Sequence, residues 1–208
     1  MAVPHLFPAV VVGALMAACA TPTGEVLTWD AWEPVVTGAS GAVTHDGDAL
    51  VLGAGGPLTA VRWTGAAPTA PYALEFEATR VRGNDFFCGL TFPAGDGHLT
   101  LVLGGWGGAL CGLSCLDGED AATNGTASYR GFELGRAYRV RLEVGADRVR
   151  AWLDGESLLD VSLAGRACSL RAEVASCAPL GLASYQTIAR LGPLRLRREV
   201  SAAAPQDG

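Results

Sequence analysis

The residues best suited to chemistry lie between Asn84 and Thr126, in the run NDFFCGLTFPAGDGHLTLVLGGWGGALCGLSCLDGEDAATNGT. Within it, Gly104-Gly105-Trp106-Gly107-Gly108 strips side chains from both flanks of one indole, leaving a large flat ring free to stack on a ligand. Pyranose rings present axial hydrogens on one face. An indole covers that face by apolar contact, while carboxylates, amides and arginines take the hydroxyls. Trp152 has the same opportunity, because it alternates with Val149, Ala151 and Leu153 and shares the polar side of its run with Arg150 and Asp154. A ring in that position also serves to cover a sheet edge. Asp117-Gly118-Glu119-Asp120 puts three carboxylates in four residues, too close together for all to be buried, so they rim a site or face water. With Asp85 and Arg130 added, the candidate sugar-binding set is Asp85, Trp106, Asp117, Arg130 and Trp152. The bland account of Asp117 and Asp120 is turn chemistry, which Asp-Gly favours without any ligand.

The elements that must hold these residues read as strands. Phe86, Cys88, Leu90 and Phe92 alternate with Phe87, Gly89 and Thr91, and Leu99 to Leu103 repeats the period of two after the turn-forming Pro93-Ala94-Gly95-Asp96-Gly97. Ala42 to Leu52 reads as a hairpin centred on Asp46-Gly47. Tyr72, Leu74, Phe76 and Ala78 form one face of a further strand. Tyr138 to Val144 alternates with Arg139, Arg141 and Glu143, and Val149 to Leu153 turns back at Asp154-Gly155 through Leu159, Val161 and Leu163. Leu180 to Tyr185 and Leu194 to Arg198 complete the series, and Trp29 and Trp32 read as a flap over a sheet. With 208 residues, 28 glycines and only 17% charged residues, the composition suits one domain of short strands and tight turns. The expected fold class is all-β, an antiparallel β-sandwich, with a closed barrel as the alternative that local alternation does not separate from it.

The front of the chain reads as an export signal. Ala9 to Met16 is apolar but too short for a membrane span, and Leu15-Met16-Ala17-Ala18-Cys19 resembles the lipobox of bacterial lipoproteins. Met16 departs from that pattern, as does a leading region with His5 but no lysine or arginine; cleavage as an ordinary secretory signal is the alternative. The expected organisation is a signal peptide over 1–18, lipid attachment at Cys19, a tether over 19–28, the sandwich over 29–198 and a disordered tail over 199–208. The expected location is the bacterial cell envelope, with membrane contact only through the N-terminal lipid. A net charge of -6 and the absence of lysine exclude a nucleic-acid surface.

Export sets the reading of the cysteines. Cys88, Cys111, Cys115, Cys168 and Cys177 are an odd number in an oxidising compartment, so at least one stays free. Cys168 and Cys177 flank a strand-like segment and are the expected disulfide, Cys111 and Cys115 are the alternative, and Cys88 reads as a core thiol. No cysteine pair has two-residue metal-ligand spacing, and only His45 and His98 accompany them after the signal, so no metal and no cofactor are expected. In relatives of a sandwich fold, Asp-rich loops such as that near Asp117 could hold calcium.

Phe86-Phe87-Cys88-Gly89-Leu90-Thr91-Phe92-Pro93, the glycine-flanked Trp106, Gly112-Leu113-Ser114 with Asp117-Gly118 and Asp120, and the terminal Leu194-Arg195-Leu196-Arg197 together resemble the 3-keto-disaccharide hydrolase domain family. The resemblance runs from about Trp29 to Arg198 and departs at Cys111 and Cys115, where small or aliphatic residues are usual. It implies the concanavalin A-like lectin/glucanase sandwich. It also implies cleavage of sugars oxidised at C3, where the ketone acidifies the C2 hydrogen so that a base can start elimination of the glycosidic oxygen before water adds back. That route needs a base and a group that stabilises an enolate. His98, Asp85, Asp117 and Asp120 could supply the base and Arg130 the charge, which makes His98, Asp117 and Asp120 the catalytic candidates; an exposed strand position is the bland reading of His98. The Glu-x-Asp-x-x-Glu run of a hydrolytic glucanase is absent. Carbohydrate recognition therefore ranks first, cleavage of 3-keto-glycosides second, and a structural or adhesion role third.

Overall fold

The computed structural model describes residues 24–36 and 38–198. The expected signal segment, Cys19 and the tail from 199 lie outside the described residues, as do the first five residues of the expected tether. In chain order the strands are β1 (Glu25–Leu27), β2 (Trp32–Val35), β3 (Gly38–Ala39), β4 (Val43–Asp46), β5 (Ala49–Leu52), β6 (Gly56–Trp63), β7 (Tyr72–Arg82), β8 (Cys88–Ala94) and β9 (Gly97–Gly105). They continue as β10 (Leu110–Ser114), β11 (Ser128–Tyr129), β12 (Ala137–Val144), β13 (Arg148–Leu153), β14 (Glu156–Ser162), β15 (Gly181–Tyr185), β16 (Ile188–Leu191) and β17 (Leu194–Arg198). Two short 3-10 turns, Trp29–Ala31 and Ala172–Cys177, are the helical elements among the described residues.

The strands form two antiparallel sheets packed face to face. In the first sheet the order is β14-β13-β12-β7-β16-β5-β4, with β17 also paired to β7 and β1 to β17. In the second it is β11-β10-β9-β8-β15-β6-β2, with β3 against β6. The inward faces are those the alternation predicts: Tyr72, Leu74, Phe76 and Ala78 on β7 are buried opposite Leu99, Leu101 and Leu103 on β9, in one continuous core. Registers such as Val140 opposite Phe76 and Leu142 opposite Leu74 keep apolar residues on that face, because a slip of one residue would turn every side chain outward. The β13–β14 hairpin turns at Asp154 and Gly155, both with positive φ, as the Asp-Gly pair requires for a two-residue primed turn.

Four expectations are corrected. β1 draws Glu25–Leu27 out of the expected tether and pairs it with β17, burying Leu27. In the first hairpin Asp46 pairs with Ala49, so the two loop residues are Gly47 and Asp48, one place later than expected. The alternation slips at the start of β8: Phe87 and Cys88 both point into the core, and Phe86 is left on the outer face of the second sheet. The segment between Cys168 and Cys177 ends in the 3-10 turn rather than a strand, and the bridge between them is not formed. Cys168 lies over the β8–β9 turn beside Gly95 and Gly97, whereas Cys177 is buried with Leu58, Ala60, Val174 and Ala183 on the outer face of the second sheet. All five described cysteines are free thiols.

Candidate functional site

The outer face of the second sheet is covered from two sides. The 3-10 turn Ala172–Cys177 docks Val174 and Cys177 on Leu58, Ala60 and Ala183, and the loop from Cys115 to Ala127 docks Ala121 on Val102 and Leu110. Between the two covers lies a cleft of about 300 Å³. Its floor is Thr100 and Val102 of β9, Ser114 of β10 and Leu58 of β6, all outward-facing positions. Phe86 and Tyr185 form an aromatic wall with ring centroids 5.8 Å apart. The rim carries Asp85, Trp106, Arg171 and Glu173.

Local backbone makes this arrangement possible. Gly89 stands on the outward face of β8, where a Cβ would come within 3.1 Å of the Phe86 ring, so its bareness lets that ring lie on the sheet. Trp106 sits at the tip of the β9–β10 turn with φ 48, a left-handed conformation that a bulky residue adopts only when its surroundings impose it. The surroundings here are close. Gly108, at φ 103, passes so near Arg80 that a Cβ would lie 2.6 Å from Nη1. Arg80 is 7% exposed and donates to the carbonyls of Gly108 (3.0 Å) and Phe132 (2.6 Å), with its guanidinium over the rings of Phe87 and Phe132. No carboxylate is paired with it among the described residues; two carbonyl dipoles and two ring faces offset its charge. Trp106 remains 47% exposed at the mouth of the cleft.

Arg171 organises the charged rim. Its Nη1 donates to Asp120 Oδ2 (3.0 Å), while Nη2 and Nε donate to the two oxygens of Glu173 (3.1 and 3.4 Å), so one guanidinium ties the two covers together. The Arg171 contact holds the Glu173 carboxyl below the usual range. Asp85 accepts from the Phe86 N–H through Oδ1 (2.7 Å), which orients it at the rim.

The sequence candidates divide accordingly. Trp106 and Asp85 line the cleft, and Asp120 stands directly behind Arg171, also accepting from the Ala122 N–H (2.9 Å). Asp117 is elsewhere: it accepts from the Ala167 N–H (2.8 Å) and pairs with Arg166, a clasp that closes the loop onto the segment after β14. Those two contacts hold its carboxyl below the ordinary value and occupy both oxygens. His98 shares the outer face of β9 but lies opposite Pro93, outside the cleft; burial lowers its pKa. Arg130 faces Glu156 (3.7 Å) and the Ser157 carbonyl at the end of the first sheet. Trp152 lies on the outer face of the first sheet, half-buried with the guanidinium carbons of Arg141 and Arg150 5.3 and 5.8 Å from its ring centroid. Trp152, Arg130, Asp117 and His98 therefore do not converge with Trp106. Sequence reasoning missed Phe86, Tyr185, Arg171 and Glu173, of which Phe86 was detectable only as a break in the alternation. No group of three or more His, Cys, Asp or Glu is placed to hold a metal ion among the described residues.

No protein-family model and no curated protein sequence matches the chain. Solved structures do. A carbohydrate-binding module, CBM66 from Bacillus subtilis, superposes with a TM-score of 0.54 at 16% identity over 81% of this chain and 96% of that one. The Crh5 transglycosylase in complex with NAG gives 0.58 at 11% identity, over 83% and 80% of the two chains. The metal-free carbohydrate recognition domain of Emp46p gives 0.52 at 10% identity, over 83% and 90%. At such identities the likeness is one of fold: the chain shares an antiparallel sandwich with these structures.

Proposed function

We propose that this is a carbohydrate-recognition domain that binds a sugar in the cleft on the outer face of its second sheet. One observation carries the reading: a half-exposed tryptophan held in a left-handed conformation at the mouth of a cleft whose rim carries Asp85, Arg171 and Glu173. That juxtaposition supplies an apolar platform for a pyranose face and polar groups for its hydroxyls. Three of the similar solved structures are named for carbohydrate binding or carry a sugar, which supports the same reading.

The test is glycan binding by Trp106→Ala, with Trp152→Ala as the control on the opposite face. Covering a half-exposed tryptophan is worth about 1–3 kcal/mol, so Trp106→Ala should weaken binding by about fivefold or more while Trp152→Ala leaves it unchanged. Equal losses in both variants would remove the cleft from consideration. Cleavage of 3-keto-glycosides is the finer reading implied by the family resemblance, and it assigns the base to a carboxylate facing the cleft, of which Asp85 is the candidate. Release of aglycone from a 3-keto-glucoside that is abolished in Asp85→Asn would support turnover; binding without release leaves a recognition module.

The export reading belongs with this proposal. A lipid on Cys19 would tether the sandwich to a bacterial envelope membrane and present the cleft to extracellular or periplasmic glycans.

A further inference from the structure

The charge of the rim bears on which sugars enter the cleft, given that it is a sugar site as proposed above. Sugar sites that accept uronic or sialic acids need a cation whose charge is not already offset, because a carboxylate taken out of water without a compensating charge is strongly disfavoured. Among the described residues Arg171 is the one cation lining this cleft, and three of its five N–H donors, with its charge, are already directed to two carboxylates: Nη1 to Asp120, Nη2 and Nε to Glu173. Asp85 lines the same cleft with Oδ2 uncommitted among the described contacts. The four groups sum to two negative charges. Carboxylate oxygens keep acceptor capacity after pairing with arginine, so Asp85 and Glu173 can still take hydroxyl or ammonium hydrogens from a ligand. The floor adds only hydroxyls, Thr100, which is bonded to Thr91 at 3.0 Å, and Ser114.

We propose that the cleft is a charge filter, admitting neutral and amine-bearing sugars and rejecting acidic ones. Arg171 acts in it as a strut between the two covers rather than as an anion receptor.

The experiment measures binding of the intact protein to matched oligosaccharides that differ only in charge: gluco-, glucosamine and glucuronate members of one series, and galacto- and galacturonate members of another. In whichever series binds, the acidic member should be at least about tenfold weaker than the neutral one, and the difference should shrink as salt is raised to about 0.5 M. Glu173→Gln removes one negative charge and, because the amide keeps one acceptor oxygen, releases one of the two Arg171 donors, so it should raise the ratio of acidic to neutral affinity at least about fivefold. An acidic member binding as tightly as its neutral counterpart, or a ratio unmoved by Glu173→Gln, overturns the filter while leaving sugar recognition in place. Binding of no member of either series overturns recognition at this cleft, and the filter with it.

Discussion

Replacing Arg80 with methionine tests how the Trp106 platform is held. The substitution keeps most of the stem volume but strands the carbonyls of Gly108 and Phe132, which Arg80 bonds at 3.0 and 2.6 Å in a site only 7% exposed. Each stranded acceptor costs about 1–3 kcal/mol, and the two ring contacts add about 0.5–2 kcal/mol; relief from burying an ion offsets part of this. The net expectation is a loss of about 2–4 kcal/mol, or about 5–15 °C in thermal midpoint for a domain of this size. Arg80→Lys should fall between, because a compact ammonium cannot span both carbonyls as the planar fork does. Urea unfolding measures the first effect, and glycan affinity of the folded fraction measures the second. Gly108 belongs to the turn that presents Trp106, so affinity should drop in Arg80→Met even at temperatures where the protein is fully folded. A variant within about 0.5 kcal/mol of the parent, with unchanged affinity, would refute the argument by showing that both carbonyls find other partners.

The remaining expectations concern covalent state and pH. Burial pushes the thiols of Cys111 and Cys177 up to about 11 and that of Cys88 higher still, so in native protein at pH 8 Cys168, the partly exposed thiol, should react first with a disulfide reagent, and Cys88, Cys111, Cys115, Cys168 and Cys177 should all react in denaturant; three or fewer of these five reacting would reveal a bridge. Asp117 has its folded pKa lowered by the Ala167 N–H and Arg166, so its contribution to stability is present above the ordinary value of 3.8 and is lost as pH falls through the depressed one. The stability difference between Asp117→Asn and the parent should therefore be largest near pH 7 and shrink toward pH 2, and a difference independent of pH would argue against the clasp. Mass spectrometry of membrane fractions should find a diacyl or triacyl adduct on Cys19, whereas an unmodified N-terminus elsewhere rules out lipidation.

Strand chemistry was legible because it is local. Residues two apart share a face, so Tyr72, Leu74, Phe76 and Ala78 could be placed in the core without knowing what they pack against. The cleft depends instead on distant parts of the chain meeting, and here the sequence signal thinned. Trp106 announced itself by glycine neighbours whose φ values and close approaches only glycine tolerates. Arg171 and Glu173 had no such signature, since their role comes from docking of Val174 and Cys177 on Leu58, and Asp120 lies 51 positions earlier in the chain than the arginine it meets. Phe86 was assigned to the wrong face because the alternation breaks at Phe87, whose ring the core takes between Phe132 and Tyr138. Asp117 looked like Asp120 in sequence. The two separate because one accepts from the backbone after β14 and the other from Arg171.

The opposite sheet explains why Trp152 is not a second platform. On its outer face Glu75 receives Arg197 (3.0 Å) and Arg141 (3.7 Å), and Glu143, only 7% exposed, receives Arg141 and Arg150 (3.2 Å). The two arginines nearest the indole are thus already committed to carboxylates while their guanidinium groups lie beside it. A sugar stacking there would have to displace a cation from the ring and loosen an ion pair on a buried glutamate, and stranding such a charge costs several kcal/mol, more than one stacking contact returns. At Trp106 no cation lies over the ring among the described residues. Its neighbours in the turn are glycines, and Arg80, which bonds the Gly108 carbonyl of the same turn, is spent on holding the backbone.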